Sequence, residues 1–188
     1  LIIILLQIFR WSLVGFLTPF LEPIIEIIVF SFFVISVILS LIYLFRKAKV
    51  LKIKAFMRLI INLITIFLLI YVPFVDIALS IDFRLNYQYR AEVVSLIKSG
   101  DLKNDISENN HIIKLPDKYQ SLSRGGEVPV EKKNGNIKIL FYTFRGISDN
   151  FSGFVYSSNN ENITGVRTLN HFKQIKKYKD NWFWISSY

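Results

Sequence analysis

Two long runs of apolar residues in the first 80 positions constrain this chain more than any other feature. The run 24–45 contains one charged residue, Glu26, near its start, and the run 59–79 contains one, Asp76, near its end. As a helix rising 1.5 Å per residue, the first run is roughly 33 Å long, which matches the hydrocarbon thickness of a bilayer. Both runs are longer and more apolar than an ordinary amphipathic helix. We therefore predict a membrane hairpin of two transmembrane helices.

A third transmembrane helix is a further candidate at positions 1–9, which are mostly apolar. The chain starts at Leu1 and its only methionine is Met57, so we expect the N-terminal residues to be missing. A signal peptide needs a basic start and a small-residue cleavage site, whereas Arg10 follows this run. We therefore interpret 1–9 as the remainder of a truncated helix within a transmembrane region that covers 1–80.

The segment 46–58 between the two predicted helices holds six Lys or Arg residues and no acidic residue. Short loops of this composition remain on the cytoplasmic side, so the second helix runs outward. The following domain, 81–188, is then extracytoplasmic, in a multi-pass membrane protein. The Lys, Ile and Asn bias of the chain is typical of an AT-rich bacterium, so we expect the bacterial cell membrane. We expect the basic loop to contact anionic lipid headgroups, and we consider a nucleic-acid-binding or calmodulin-like basic helix as its alternative.

Three charged residues fall at the predicted outer edge of the membrane. Glu26 lies near the start of the first predicted helix, Asp76 near the end of the second, and Arg10 after the N-terminal run. A cluster of these three is a functional-site hypothesis, because charges within a membrane are costly and are kept for function. The alternative is that their side chains extend into interfacial water.

Residues 81–188 have the pattern of a small α+β domain with an antiparallel sheet. Asp82 is placed to cap a helix that ends at Gly100. Asn134-Gly135 predicts a type I′ hairpin between strands 127–132 and 137–144. Pro129 assigns the first of these to an edge, whereas apolar residues on both faces make the second central. Three further strands are expected at 111–115, 151–157 and 182–186, which makes four or five strands in all. The basic stretch 170–180 is a candidate short helix.

No motif for catalysis, a metal or a cofactor is present in the sequence. The chain has no cysteine, which removes disulfides and thiolate chemistry. Ser148, Asp149 and a histidine would make a triad by composition alone, but no strand–turn–helix nucleophile elbow surrounds the serine. The loop 145–150 joins two predicted strands, and loops at strand ends often carry binding residues. Arg145 and Asp149 are therefore the candidate ligand contacts, with an ordinary polar turn as the alternative.

Aromatic residues in the second domain allow two interpretations. With the basic residues they would suit a single-stranded nucleic acid, which the predicted outward orientation disfavours, or an envelope polymer. The alternative is that most of these rings form the hydrophobic core. The residues concerned are Tyr142, Tyr156, Trp182, Trp184 and Tyr188.

Four short segments form a pattern in the second half of the chain: Leu115-Pro116-Asp117-Lys118-Tyr119, Ser123-Arg124-Gly125-Gly126, Phe144-Arg145-Gly146 and Asp149-Asn150-Phe151-Ser152-Gly153-Phe154. Over about half of the chain, this pattern resembles uncharacterised bacterial membrane-anchored proteins. The resemblance implies a membrane anchor joined to one folded unit over 81–188. It implies no activity, so no functional residue is assigned from it.

The features together predict an integral membrane protein with a non-enzymatic extracytoplasmic domain for binding or interaction. Its predicted partners are the lipid bilayer and either an envelope polymer or another membrane protein, with no nucleic acid and no cofactor. The alternative functions are an envelope-acting enzyme and an accessory subunit of a membrane complex. An enzyme should show a pocket with perturbed carboxylates or histidine, whereas a binding domain should show an exposed aromatic or basic patch.

Overall fold

The chain forms apolar helices first and then a six-stranded antiparallel sheet. Contacts divide it into two units, Leu1–Leu79 and Ser80–Tyr188. The computed structural model describes residues 2–8, 21–51, 53–102, 111–133, 135–146, 150–160 and 172–187, with the backbone alone for 7, 22, 47–51 and 53–55.

Three helices make up most of the first unit: α1 (Ile2–Ile8), α2 (Leu21–Leu51) and α3 (Ile53–Tyr71). Within the described residues, only Pro23–Arg46 is by itself long and apolar enough to cross a membrane, with a mean hydropathy of 2.8. The prediction that 46–58 is a loop is wrong, because α2 and α3 both continue into this segment. Lys, Arg, Leu and Ala are good helix formers, so the positive charges do not end either helix.

The second predicted transmembrane run, 59–79, is not one straight helix. It breaks at Val72-Pro73, and the helix that follows, α4 (Phe74–Ser99), is bent by 61° from the preceding one. Proline lacks an N–H, and its ring clashes with the carbonyl four residues earlier, so α3 cannot continue through Pro73. Neither part of this broken pair is by itself long and apolar enough to span a membrane, whereas the two parts together are.

Helix α4 begins earlier than predicted. The Pro73 carbonyl accepts a hydrogen bond from the Ile77 N–H at 3.0 Å, which closes the first turn. Asp82 therefore lies inside the helix and does not cap it, so the predicted start is wrong by about two turns. The predicted end is confirmed, since α4 stops at Ser99, just before Gly100.

The second unit contains one antiparallel sheet in the order β1-β2-β3-β4-β6-β5. The α+β architecture is confirmed, with six strands in place of the four or five expected. A 3₁₀ helix, Asp117–Leu122, connects the first two strands. The strands are β1 (Ile112–Lys114), β2 (Glu127–Lys133), β3 (Asn136–Arg145), β4 (Phe151–Ser157), β5 (Gln174–Lys179) and β6 (Trp182–Ser186).

The predicted β2–β3 hairpin and the central position of β3 are both confirmed. Lys133 pairs with Asn136 across a two-residue turn. Gly135 in that turn has φ +78°, the left-handed conformation that a type I′ turn requires. Ile139 and Leu140 are both fully buried although they point to opposite faces of β3, as expected for an interior strand.

Two predictions about the sheet are wrong. Pro129 is not on an edge strand, because β2 lies between β1 and β3. The β2–β3 pairs begin at Val130, so the donor that proline lacks falls outside that ladder. The described part of the stretch 170–180 contains the edge strand β5 and not a short helix; Asn181, with φ +67°, turns the chain tightly into β6.

Apolar side chains fill both faces of the sheet. On one face α4 packs through Phe83, whose ring lies 5.2 Å from that of Phe154 and 5.8 Å from that of Trp182. On the other face a smaller buried cluster is centred on Leu140, Val155 and Ile185. Together these layers form the core of the second unit.

Gly153 on β4 provides a test of this packing. A Cβ atom at this position would lie 2.4 Å from the Phe141 carbonyl oxygen, which is a backbone atom that cannot move aside alone. We expect Gly153→Ala to destabilise the second unit by about 1–3 kcal/mol, as overpacked cores do. Thermal unfolding of the detergent-solubilised chain, followed by tryptophan fluorescence, measures the change.

The matched control is Gly135→Asn, because nothing lies within 4 Å of a Cβ at Gly135 and asparagine tolerates positive φ. An unfolding temperature for Gly153→Ala equal to that of the control would contradict the β3–β4 packing.

Candidate functional site

The contact between α2 and α3 buries polar side chains. Ser40, Asn62 and Thr65 are 6%, 8% and 7% exposed. The Asn62 side-chain amide donates to the Ser40 hydroxyl at 2.9 Å, and that hydroxyl donates to the Ser36 carbonyl at 2.7 Å. The two small residues Ser36 and Ser40, spaced four apart, permit close approach of the helices. These polar side chains therefore pack α2 against α3.

The outward faces of the same helices are apolar. Only 6% of the most apolar window of Pro23–Arg46 is buried, and large side chains such as Phe32, Leu39 and Phe67 are more than half exposed. A helix pair in water would have the opposite arrangement, with apolar side chains inside. The described part of this unit therefore has polar contacts inside and an apolar surface.

A cation–π contact lies at the basic end of this pair. The Arg58 guanidinium is 4.4 Å from the centre of the Tyr43 ring. Tyrosine and arginine at this position suit a boundary between lipid and water, because each has an apolar part and a polar end.

Of the predicted membrane-edge cluster, two residues fall in the described helices. Glu26 borders an apolar cavity of about 290 Å³ between α1 and α2, with Ile3 and Phe30 among its lining. Asp76 lies in the first turn of α4. Arg10 lies outside the described residues, so the three-residue cluster stays a prediction.

Of the two predicted ligand contacts, Arg145 is described and Asp149 is not. Arg145 ends β3, forms an ion pair with Glu127 on β2 and lies 5.4 Å from the centre of the Tyr142 ring. Burial raises the pKa of Tyr142, and the nearby Arg145 charge opposes this rise. The guanidinium is thus already neutralised by a carboxylate, and its free edge is what remains for a ligand.

A buried charge network on α4 was not predicted from the sequence. Arg90 is 2% exposed; it donates to the Asp82 carboxylate at 2.7 Å and lies 4.5 Å from the centre of the Phe154 ring. Asn86 donates to the other Asp82 oxygen at 2.7 Å. Burial lowers the pKa of Arg90, and Asp82 opposes this. The spacing 82, 86, 90 places all three on one helical face and could have revealed the network.

A second missed feature is a row of rings between two lysines. Lys179 lies 4.0 Å from the centre of the Tyr87 ring, and Lys98 donates to the Tyr156 hydroxyl at 2.7 Å. The Trp182 ring lies between them, 6.0 Å from Tyr87 and 5.4 Å from Tyr156. Trp182, Tyr156 and Trp184 are buried, so these rings belong to the core; Tyr188 lies outside the described residues.

An open cleft of about 540 Å³ lies between the end of α4, β1 and the 3₁₀ helix. Its two carboxylates are already engaged, since Asp101 accepts from Ser99 at 2.6 Å and Asp117 accepts from Gln120 at 2.7 Å. Across the described ranges, no group of three or more His, Asp or Glu residues could hold a metal ion. Comparison with protein-family models, curated proteins and solved structures found no match to this chain.

The Arg90 network predicts a strong and specific effect on stability. Asp82→Ala leaves a buried guanidinium without its counter-charge, so we expect a loss of roughly 2–4 kcal/mol, reduced from a fully buried pair because Asp82 is 40% exposed. The double variant Asp82→Ala/Arg90→Met should recover most of this loss, since methionine needs no partner. Thermal unfolding in detergent measures both.

The control is Asp180→Ala, which removes the partner of Lys177 from an exposed pair and should leave the unfolding temperature unchanged. If Asp82→Ala behaved like Asp180→Ala, the Arg90 charge would not depend on Asp82.

Proposed function

We propose that this chain is an integral protein of the bacterial cell membrane, and that its second unit is a non-enzymatic extracytoplasmic domain for binding or interaction. The observation that carries the proposal is the arrangement of α2 and α3, with Asn62 bonded to Ser40 inside and apolar side chains outside. In lipid the outward apolar side chains need no cover, and a polar contact between helices is favourable. In water the same surface would carry a large hydrophobic penalty.

The break at Val72-Pro73 is compatible with a second membrane crossing. Prolines are tolerated in transmembrane helices, where neighbouring groups and local adjustments satisfy the backbone atoms that they release. Counted together, the two parts of the broken pair are long and apolar enough to span. We therefore keep a hairpin of two crossings, with α1 as a further membrane segment.

Orientation follows from charge. Six basic residues and no acidic residue lie within 46–58, between the two proposed crossings, and such segments stay in the cytoplasm. The contact between Arg58 and Tyr43 supports an interface at this end of the helices. Anionic lipid headgroups are the partner that we propose for this segment, at about 1 kcal/mol per basic residue.

The binding role of the second unit rests on what its described surface offers. The two carboxylates of the cleft accept hydrogen bonds, and the Arg145 guanidinium is in an ion pair. Groups held in this way favour a role in recognising a partner over a role in catalysing a reaction. Our candidate contact region is the end of β3 with Arg145, together with Asp149, which lies outside the described residues. An envelope polymer or a membrane-protein partner fits the proposed location.

A topology experiment tests this proposal. Alkaline phosphatase and green fluorescent protein are fused in turn after Tyr188 and, as the matched control, after Lys49 in a bacterial host. We expect phosphatase activity without fluorescence at Tyr188, and fluorescence without phosphatase activity at Lys49, because the proposed second crossing lies between them.

Fluorescence at both fusion sites would place the second unit in the cytoplasm and contradict the proposed orientation. Recovery of the Tyr188 fusion in the soluble fraction after alkaline washing of the membranes would contradict membrane integration itself.

A further inference from the structure

Helix α4 carries an apolar stripe on its outer face within the second unit. Ile81, Leu85 and Tyr89 are 53%, 73% and 48% exposed. Their spacing of four residues places them on one side of the helix. Phe83 and Arg90 on the packed side are buried against the sheet. The helix thus has one apolar face in the core and a second one outside, and contiguous exposed apolar side chains mark an interaction site.

The outer face changes in character along the helix. Its first turns present the stripe together with Arg84, which forms no ion pair among the described residues, whereas later positions present Glu92 and Ser95. Lys118 of the 3₁₀ helix lies 5.8 Å from the centre of the Tyr89 ring and pairs with Glu92. Along this outer face, the side chains are apolar near the start of α4, aromatic and cationic further on, and polar near its end. This order matches a helix that leaves a lipid interface for water.

We propose that the stripe Ile81–Leu85–Tyr89 lies in the headgroup region of the bilayer and docks the second unit on the membrane. The inference rests on the proposed function, because it requires α3 to be in lipid. Chain continuity supports it: α4 starts directly after Val72-Pro73, so the stripe follows the second proposed crossing along one continuous helix.

A bilayer fits this stripe better than a protein partner does. Stable protein interfaces bury about 800 Å² on each side, with 20–30 residues, whereas the stripe consists of three side chains on one helix. Arg84 and Lys118 beside it suit the phosphates of anionic lipids. A second copy of the chain or another protein is therefore an outcome that the test must detect.

The test uses single labels on the full chain, which contains no cysteine, so that every introduced cysteine is unique. Leu85→Cys is labelled with the polarity-sensitive fluorophore NBD and reconstituted into vesicles of phosphatidylcholine and phosphatidylglycerol. We expect blue-shifted emission and quenching by nitroxide-bearing lipids severalfold stronger than for Ser95→Cys, an exposed polar position of the same helix. Tyr89→Cys repeats the measurement in case Leu85→Cys does not fold.

Each outcome decides the inference. A Leu85 label that emits and quenches like the Ser95 label overturns it, and so does a blue-shifted label that lipid nitroxides do not quench, because protein would then cover the stripe. A label at Phe30 on α2, which is 57% exposed, separates the two proposals. If the Phe30 label is quenched by lipid and the Leu85 label is not, only the docking fails; if neither is quenched, the membrane proposal fails with it.

Discussion

The side-chain amide of Asn62 donates a hydrogen bond to the Ser40 hydroxyl between two helices whose outer faces are covered by large apolar side chains. In water this arrangement is unfavourable twice over, because apolar surface stays hydrated and a polar group leaves water. In lipid the first penalty is removed, and the hydrogen bond between the helices is favourable. The proposed orientation of the second unit and the proposed lipid contact of α4 both require α2 and α3 to lie in a membrane.

Pro73 is the second constraint, because it decides where one helix stops and the next begins. Its missing N–H ends α3 at Tyr71, and its carbonyl starts α4. Helix α4 then combines three surfaces: an apolar start, a face with Phe83 and Arg90 against the sheet, and the exposed stripe. The buried Arg90 guanidinium on this helix is paired with the Asp82 carboxylate and lies over the Phe154 ring, which offsets part of the cost of its burial.

Features with local causes were predictable from the sequence. The β2–β3 hairpin follows from the adjacent pair Asn134-Gly135, a sequence typical of type I′ turns, and Gly135 has the positive φ that such a turn requires. The central position of β3 follows from its apolar residues on both faces, and the end of α4 follows from Gly100. These three features depend on turn-forming residues or on the two-residue alternation of side chains along a strand. None of them requires knowledge of distant parts of the chain.

Other features depend on tertiary contacts or on backbone donors that hydropathy does not register. The edge strand β5 is concealed by its lysines; a register shift between Lys177 and Lys179 accompanies the packing of Tyr178 against Phe83. The spacing 82, 86, 90 indicates that these residues can pair, but the burial of Arg90 against Phe154 depends on a contact that is distant in sequence. The hydropathy of the run 59–79 also does not indicate the helix break at Pro73. At the candidate site, the sequence located Arg145 at a strand end but could not reveal its pairing with Glu127.

The central claim is that the outer faces of α2 and α3 are in lipid, and nitroxide accessibility tests it most directly. Single-cysteine variants at Ile35, Leu39 and Ser40 are spin-labelled in reconstituted vesicles, and their collisions with oxygen and with a water-soluble nickel chelate are compared. The account predicts high oxygen and low nickel accessibility at Ile35 and Leu39, and low accessibility to both at Ser40, because only the first two point outward. Nickel accessibility at Ile35 and Leu39 equal to that of a label at Ser95 would contradict it.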